Sequence, residues 1–149
     1  MREALQEAAR AGAIGEVPVG SVVVYEGQII ARGHNLRESR QDPTAHAELL
    51  AMRRAAEHLG SWRLEDCTVY VTLEPCPMCA GAMVLARVAH CVYGCTDPKG
   101  GYLGTLDDLS CKPTLNHRFD VTAGIEQHAC SELLRSFFRQ LRKKPTPED

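Results

Sequence analysis

Apolar and polar positions change their period several times along this chain, and each change marks an element. In residues 2–13, Ala4, Leu5, Ala8 and Ala9 fall on one face of a 3.6-residue repeat, which predicts a helix. It starts so abruptly at Met1 that an earlier turn is expected ahead of it. The stretch VGSVVVYEGQIIARG is rich in β-branched residues and predicts a hairpin, Val19 to Tyr25 and Gln28 to Arg32, turning at Glu26-Gly27, where glycine accepts positive φ. A polar loop, HNLRESRQDP, leads into a helix predicted from Thr44 to Leu59 and stopped by Gly60. CTVYVTL, residues 67–73, reads as a buried strand that EPCP breaks. MCAGAMVLAR follows as a short helix of small residues, HCVYGC as a second buried strand, and Asn116 to Thr122 holds a last short one. Gln127 to Lys143 forms the final helix, and PTPED, residues 145–149, is expected to fray. Strands alternating with helices imply an α/β fold, a sheet with helices on both faces.

At 149 residues the chain fits one domain, 1–149, because a chain of this size buries roughly 70% of the surface it exposes when unfolded. Its 44% apolar and 24% charged residues are those of an ordinary globular protein, and no apolar run approaches a membrane span. The N-terminus, MREALQEAARAGA, has charges where a secretory signal needs an apolar core, so the expected location is the cytoplasm. Seven cysteines, an odd number without a small-scaffold pattern, fit a reducing compartment, with most of them buried thiols.

The net charge of −2 hides an uneven distribution. LLRSFFRQLRKK, Leu133 to Lys144, carries five basic residues and no acid, with Phe137 and Phe138 between them. The plain reading is an amphipathic helix whose basic end complements its dipole; the sharper one is a helix that grips phosphates.

His46 and Glu48 stand two residues apart at the start of a helix whose other residues should face a core. Cys76 and Cys79 sit where a strand ends and a helix begins, and i, i+3 spacing at a helix start lets both sulfurs reach one point suited to a soft metal such as zinc. Pro75 and Pro77 fix the backbone at that switch, where ligand crevices open in α/β sheets. With His46 the pair makes three ligands, the number a catalytic zinc takes, while His34, His90, His117, Cys91 and Cys95 all remain possible as a fourth. Two thiolates, a neutral imidazole and Zn²⁺ sum to zero charge, so such a centre acidifies water less than an all-histidine site and gains from a nearby base. Glu48 can be that base only if His46 lies at the irregular start of its helix, since regular positions i and i+2 point apart. Glu74 is a rival base, read instead as an acid placed near a helix N-terminus.

HAE followed by PCPMC is the H-x-E and P-C-x-x-C pattern of zinc nucleobase deaminases. Together with EVPVG, GHN, DPTAHAE, YVTLEPCPMCAGAM, YG before DPKGG, NHR and FFR, it resembles the bacterial tRNA-specific adenosine deaminases across nearly the whole chain, with an N-terminus several residues shorter. That resemblance implies a three-layer α/β/α fold with a central mixed five-stranded sheet, as in cytidine deaminases. It implies one zinc per subunit on His46, Cys76 and Cys79, with Glu48 shuttling protons as the catalytic residue. Substrate contacts carry over to Asn35, the backbone around Ala47, Asp97, His117, Phe138, Arg139 and Arg142. The implied reaction is hydrolytic deamination of adenosine to inosine at the wobble position of tRNA, with the arginine tRNA bearing an ACG anticodon as candidate. The implied partners are the anticodon stem-loop and a second copy in a homodimer, whose interface the small residues Ala80 to Ala82 would let approach closely. Two other readings compete. A cytosine, cytidine, guanine or riboflavin-precursor deaminase would keep zinc and Glu48 but need no RNA grip, and a zinc-stapled RNA-binding module would have no use for Glu48.

Overall fold

A computed structural model describes residues 1–143; Lys144 and the tail expected to fray, 145–149, lie outside the described residues. Helix α1 (Arg2–Ala13) is followed by the hairpin of β1 (Gly20–Tyr25) and β2 (Gln28–His34), whose two-residue turn holds Glu26 at φ 49° and Gly27 at φ 75°. Both positive angles give the right-twisting turn that matches the strands' own twist. A four-residue helix, α2 (Arg37–Arg40), precedes α3 (Ala47–Leu59), which ends on Gly60 in the left-handed conformation. Strand β3 (Cys67–Leu73), helix α4 (Pro77–Ala86), strands β4 (His90–Cys95) and β5 (Asp120–Thr122), and helix α5 (Gln127–Lys143) complete the order.

The five strands form one mixed sheet in the order β2-β1-β3-β4-β5. β1 is antiparallel to both β2 and β3, whereas β3, β4 and β5 are parallel. Helices α1 and α5 touch each other on one face, and α3 and α4 touch each other on the other, which is the three-layer α/β/α arrangement expected. The core between sheet and helices is built from Val23, Val69, Val71, Leu64, Met83 and Val88, all at most 2% exposed. One charged cluster is buried with it: Glu7, 2% exposed, receives Arg10 at 3.1 Å and His34 at 3.1 Å, with Arg32 at 3.9 Å, and so ties α1 to β2 with its charge compensated.

Three strand glycines set how closely the helices lie. A Cβ on Gly33 would stand 2.5 Å from the Ala47 carbonyl oxygen and 2.8 Å from the Ala51 nitrogen, both backbone atoms of α3. One on Gly20 would meet the Ala4 carbonyl of α1. At Gly94 it would strike Cys130 of α5 and the Thr72 carbonyl. Because backbone cannot swing aside as a side chain can, Gly33→Ala should lower stability by about 1–3 kcal/mol, read as a fall in urea midpoint at unchanged slope. No helix among the described residues is long and apolar enough to cross a membrane.

The cysteines outside β3-α4 are free and, apart from exposed Cys111, buried. Burial pushes the Cys130 thiol up to about 12 and the Cys91 thiol well above its ordinary value of 9.0. An unfolded chain ionises these thiols from about pH 9 while the folded one keeps them protonated, so unfolding releases protons in that window. The stability is therefore fully present below pH 9 and lost as pH climbs toward 12, by about 1.4 kcal/mol per pH unit for Cys130 alone. Urea midpoints at pH 8, 9 and 10 should show level behaviour, then decline.

Candidate active site

Two chain segments leave regular structure at the same place. After Asp42, whose carboxylate accepts the Thr44 N–H at 2.8 Å and its hydroxyl at 2.7 Å, the chain stays irregular to His46. His46 is the N-cap of α3 with extended backbone, φ −79° and ψ 150°, so the helix begins at Ala47 rather than at the expected Thr44. That extended residue is the condition required for His46 and Glu48 to converge, and both line one cleft. Cys76 is likewise an extended N-cap, φ −74° and ψ 174°, with Pro77 opening α4 and Cys79 at its third position.

The two caps face each other. His46 Nδ1 lies 3.6 Å from Cys76 Sγ and 3.5 Å from Cys79 Sγ, and all three atoms fall within 4.8 Å of one another. Bonds of zinc to sulfur and to imidazole nitrogen at tetrahedral angles place those atoms about 3.6 Å apart. The donor set thus fits zinc in kind and in spacing. Cys76 is already suited to bind: hydrogen bonding from Cys79, followed by His46, holds its thiol down to about 4. The same hydrogen bond, with burial and the nearby Glu48, drives Cys79 upward, so the pair keeps one proton between them. Hydrogen bonding to Cys76 also raises His46.

Among the described residues no fourth His, Cys, Asp or Glu joins the three. The alternatives are occupied elsewhere: His34 on Glu7, His90 on the Thr122 hydroxyl at 2.8 Å, His117 on the Val88 carbonyl at 2.7 Å, and Cys95 on the Thr72 carbonyl at 3.5 Å, while Cys91 is fully buried. One side of the cluster faces a cleft of about 190 Å³. Glu48 lies in its wall, 4% exposed, and burial raises its carboxyl above the ordinary value. A buried carboxyl held high in the wall of a small cleft is suited to carry a proton both ways near neutral pH.

The rest of the wall includes Val17, Val19 and Leu73, apolar residues that can flank a flat ring, together with Asn35, Ala47 and Asp97. The Asn35 amide is oriented from both ends, donating to the Val17 carbonyl at 3.2 Å and accepting from the Arg37 N–H at 3.1 Å. Arg37 also lines the cleft, although no motif in the sequence marks it. It is presented by α2, an element the polar loop gave no sign of, because its start is capped by the distant carboxylate of Glu16. Glu16, 1% exposed, accepts the N–H groups of Glu38 at 2.8 Å and Ser39 at 3.1 Å.

Glu74, three residues ahead of the start of α4, lines the cleft too. Its carboxylate accepts from the 97–105 loop. His117 is not brought to the cleft: its ring donates to the Val88 carbonyl and stacks on Phe119, with centroids 6.1 Å apart. Phe138, Arg139 and Arg142 line a separate groove of about 730 Å³ with Thr96 and Pro98, the two neighbours of Asp97, so cleft and groove adjoin at that residue. The groove is less basic than the local sequence suggested, since Glu132 holds Arg135 at 3.4 Å and Arg139 at 3.6 Å.

The MafB19-like deaminase family model matches residues 1–142. The tRNA-specific adenosine deaminase of Bacillus subtilis (strain 168) is 54% identical over 144 residues, 97% of this chain and 89% of that protein. That of Aquifex aeolicus (strain VF5) is 46% identical over 142 residues, 95% of this chain and 93% of that protein. A solved structure from work on A-to-I editing by tRNA:A34 deaminases at the wobble position of transfer RNA superposes with a TM-score of 0.87 at 44% identity, covering 90% of this chain and 97% of that one. The guanine deaminase of Bacillus subtilis superposes with a TM-score of 0.63 at 32% identity, covering 99% and 94%. An H-x-E cap facing a P-C-x-x-C cap across one cleft, with likeness running the length of the described chain, makes this chain a member of the MafB19-like deaminase family, grouped with the tRNA-specific adenosine deaminases.

Proposed function

We propose that the chain is a single-domain, cytoplasmic, zinc-dependent deaminase that converts adenosine to inosine at the first anticodon position of tRNA, with the arginine tRNA bearing ACG as its substrate. The observation that carries this reading is the buried Glu48 carboxylate in the same cleft as the His46, Cys76 and Cys79 cluster. A purely structural metal site has no use for such a group. One zinc ion held by those three side chains would supply a Lewis acid and lower the pKa of a water.

The chain's own residues supply the rest. Glu48 takes a proton from the attacking water and delivers it to ring N1, which makes C6 electrophilic as the new C6–O bond forms. Glu48 then takes the remaining hydroxyl proton and passes it to the exocyclic amine; the C6–N bond breaks, ammonia leaves and inosine remains. Val17, Val19 and Leu73 sandwich the ring, the Asn35 amide holds the ribose side and the Ala47 backbone meets the base edge, with Asp97 at the rim. Phe138, Arg139 and Arg142 grip the stem-loop along the adjoining groove. A base in an anticodon loop is splayed out at little cost, less than flipping one out of a duplex.

A second copy docks on the face shared by α3 and α4. There a groove of about 270 Å³ is lined by Leu49, Met52, Trp62 and Leu85, with Trp62 59% and Leu85 71% exposed. A Cβ on Gly81 would meet nothing within 4 Å, so the small-residue stretch of α4 is open on that side. Leu85→Asp should turn a dimer into a monomer in sedimentation velocity; a monomeric parent chain would refute the interface.

The deciding experiment incubates the zinc-loaded protein with the ACG anticodon stem-loop, and separately with free adenosine, cytidine and guanine. Inosine in the stem-loop, and no ammonia from the free compounds, is the expected result. The likeness to a guanine deaminase favours one other reading, and ammonia from guanine with the stem-loop untouched would establish it.

A further inference from the structure

Glu74 stands between the last residue of β3 and Pro75, two residues before Cys76, and is 2% exposed. Among the described residues no cation pairs with it. Instead one segment of chain surrounds it. Oε1 accepts the Asp97 N–H at 3.2 Å and the Thr105 hydroxyl, and Oε2 accepts the N–H groups of Leu103 and Thr105, each at 3.1 Å. An ionised carboxylate has about four lone-pair sites, and all four are filled from residues 97–105. The Tyr102 N–H also reaches the Pro75 carbonyl at 2.9 Å. Room for the carboxylate comes from Gly101, where a Cβ would strike Glu74 Cδ and both of its oxygens.

That loop separates the two parts of the proposed substrate site. Asp97 faces the cleft, and its own carboxylate accepts the Lys99 and Gly100 N–H groups at 3.0 and 3.2 Å; Thr96 and Pro98 face the groove with Arg139 and Arg142. Resting on the functional reading above, we infer that Glu74 is a positioning residue: it fixes the 97–105 loop to the strand that leads into Cys76 and so sets the span between metal cluster and RNA groove. A base delivered by a folded stem-loop must cross that span at a fixed length, whereas a free nucleoside need not. The carboxylate is required rather than an amide, because glutamine would turn its NH₂ toward donors of the loop and leave them unpaired in a buried place.

The test uses the full zinc-loaded protein and the ACG stem-loop. Glu74→Gln and Gly101→Ala should each raise both KM and the stem-loop Kd about tenfold or more, with kcat reduced less than about threefold and one zinc still bound per chain. Thr105→Val, which removes one donor and leaves the carboxylate, should raise them about threefold. Shortening the acid vacates the space the new methyl needs, so Gly101→Ala combined with Glu74→Asp should bind more tightly than Gly101→Ala alone. Amide exchange at Asp97, Leu103 and Thr105 should speed up in Glu74→Gln and Gly101→Ala. Should Glu74→Gln fail to fold, Gly101→Ala and Thr105→Val decide. Unchanged KM and Kd in those variants, or no recovery in the double variant, would overturn the inference. A parent protein inert toward the stem-loop would instead overturn the functional reading, while loop exchange still reports on the anchor.

Discussion

Glu48→Ala should keep one zinc per chain and lose at least about 10³-fold in stem-loop deamination. General acid–base assistance contributes about 10²–10⁴-fold for a single positioned group, and in the proposed mechanism one carboxyl serves two successive transfers, so the effect belongs at the upper end. No other acid in the cleft can replace it. Glu74 is held by its loop, and the Asp97 carboxylate is engaged by two backbone N–H groups. Glu48→Gln keeps the shape without the proton exchange and should be equally inactive, with stem-loop affinity within about threefold of the parent. Metal analysis, anisotropy binding and single-turnover inosine formation separate these quantities. Parent-like turnover in either variant would remove Glu48 from the mechanism.

A comparable loss should follow from Cys76→Ser or Cys79→Ser, by a different route. Each removes a sulfur from a set of three, with no fourth protein ligand among the described residues to compensate. Metal content should fall well below one per chain, turnover should drop to background, and added zinc should not restore it. A chelator should produce the same inactive state in the parent protein, reversibly. Under the proposed function zinc would bind only the folded site, so its removal should also lower the melting temperature, by an amount that grows with the zinc concentration used for comparison. A Cys79→Ser protein with full zinc and full turnover would show that the metal sits elsewhere.

Much of the architecture could be read from local pattern. The runs 67–73 and 127–143 become β3 and α5 with the expected limits, and the Glu26-Gly27 turn sits where its glycine put it. The helix expected from Thr44 starts three residues later because His46 must stay extended to face Cys76 and Cys79, a demand made from across the fold. α2 has no local signature for the same kind of reason: its capping carboxylate, Glu16, is 22 residues away in sequence. The H-x-E and P-C-x-x-C spacings made the cluster legible. The surroundings of Glu74 and His117 were not, since hydrogen bonds to the 97–105 loop and to the Val88 carbonyl have no sequence signature.

Gly94 carries a consequence for how this surface can vary. With no side chain there, β4 lets Cys130, the single buried residue of α5, rest directly on the strand. Alanine at position 94 would act as a wedge, tilting the whole basic helix outward while every arginine on it kept its identity. The width of the groove lined by Phe138, Arg139 and Arg142 is therefore governed from beneath, by a strand position outside its lining.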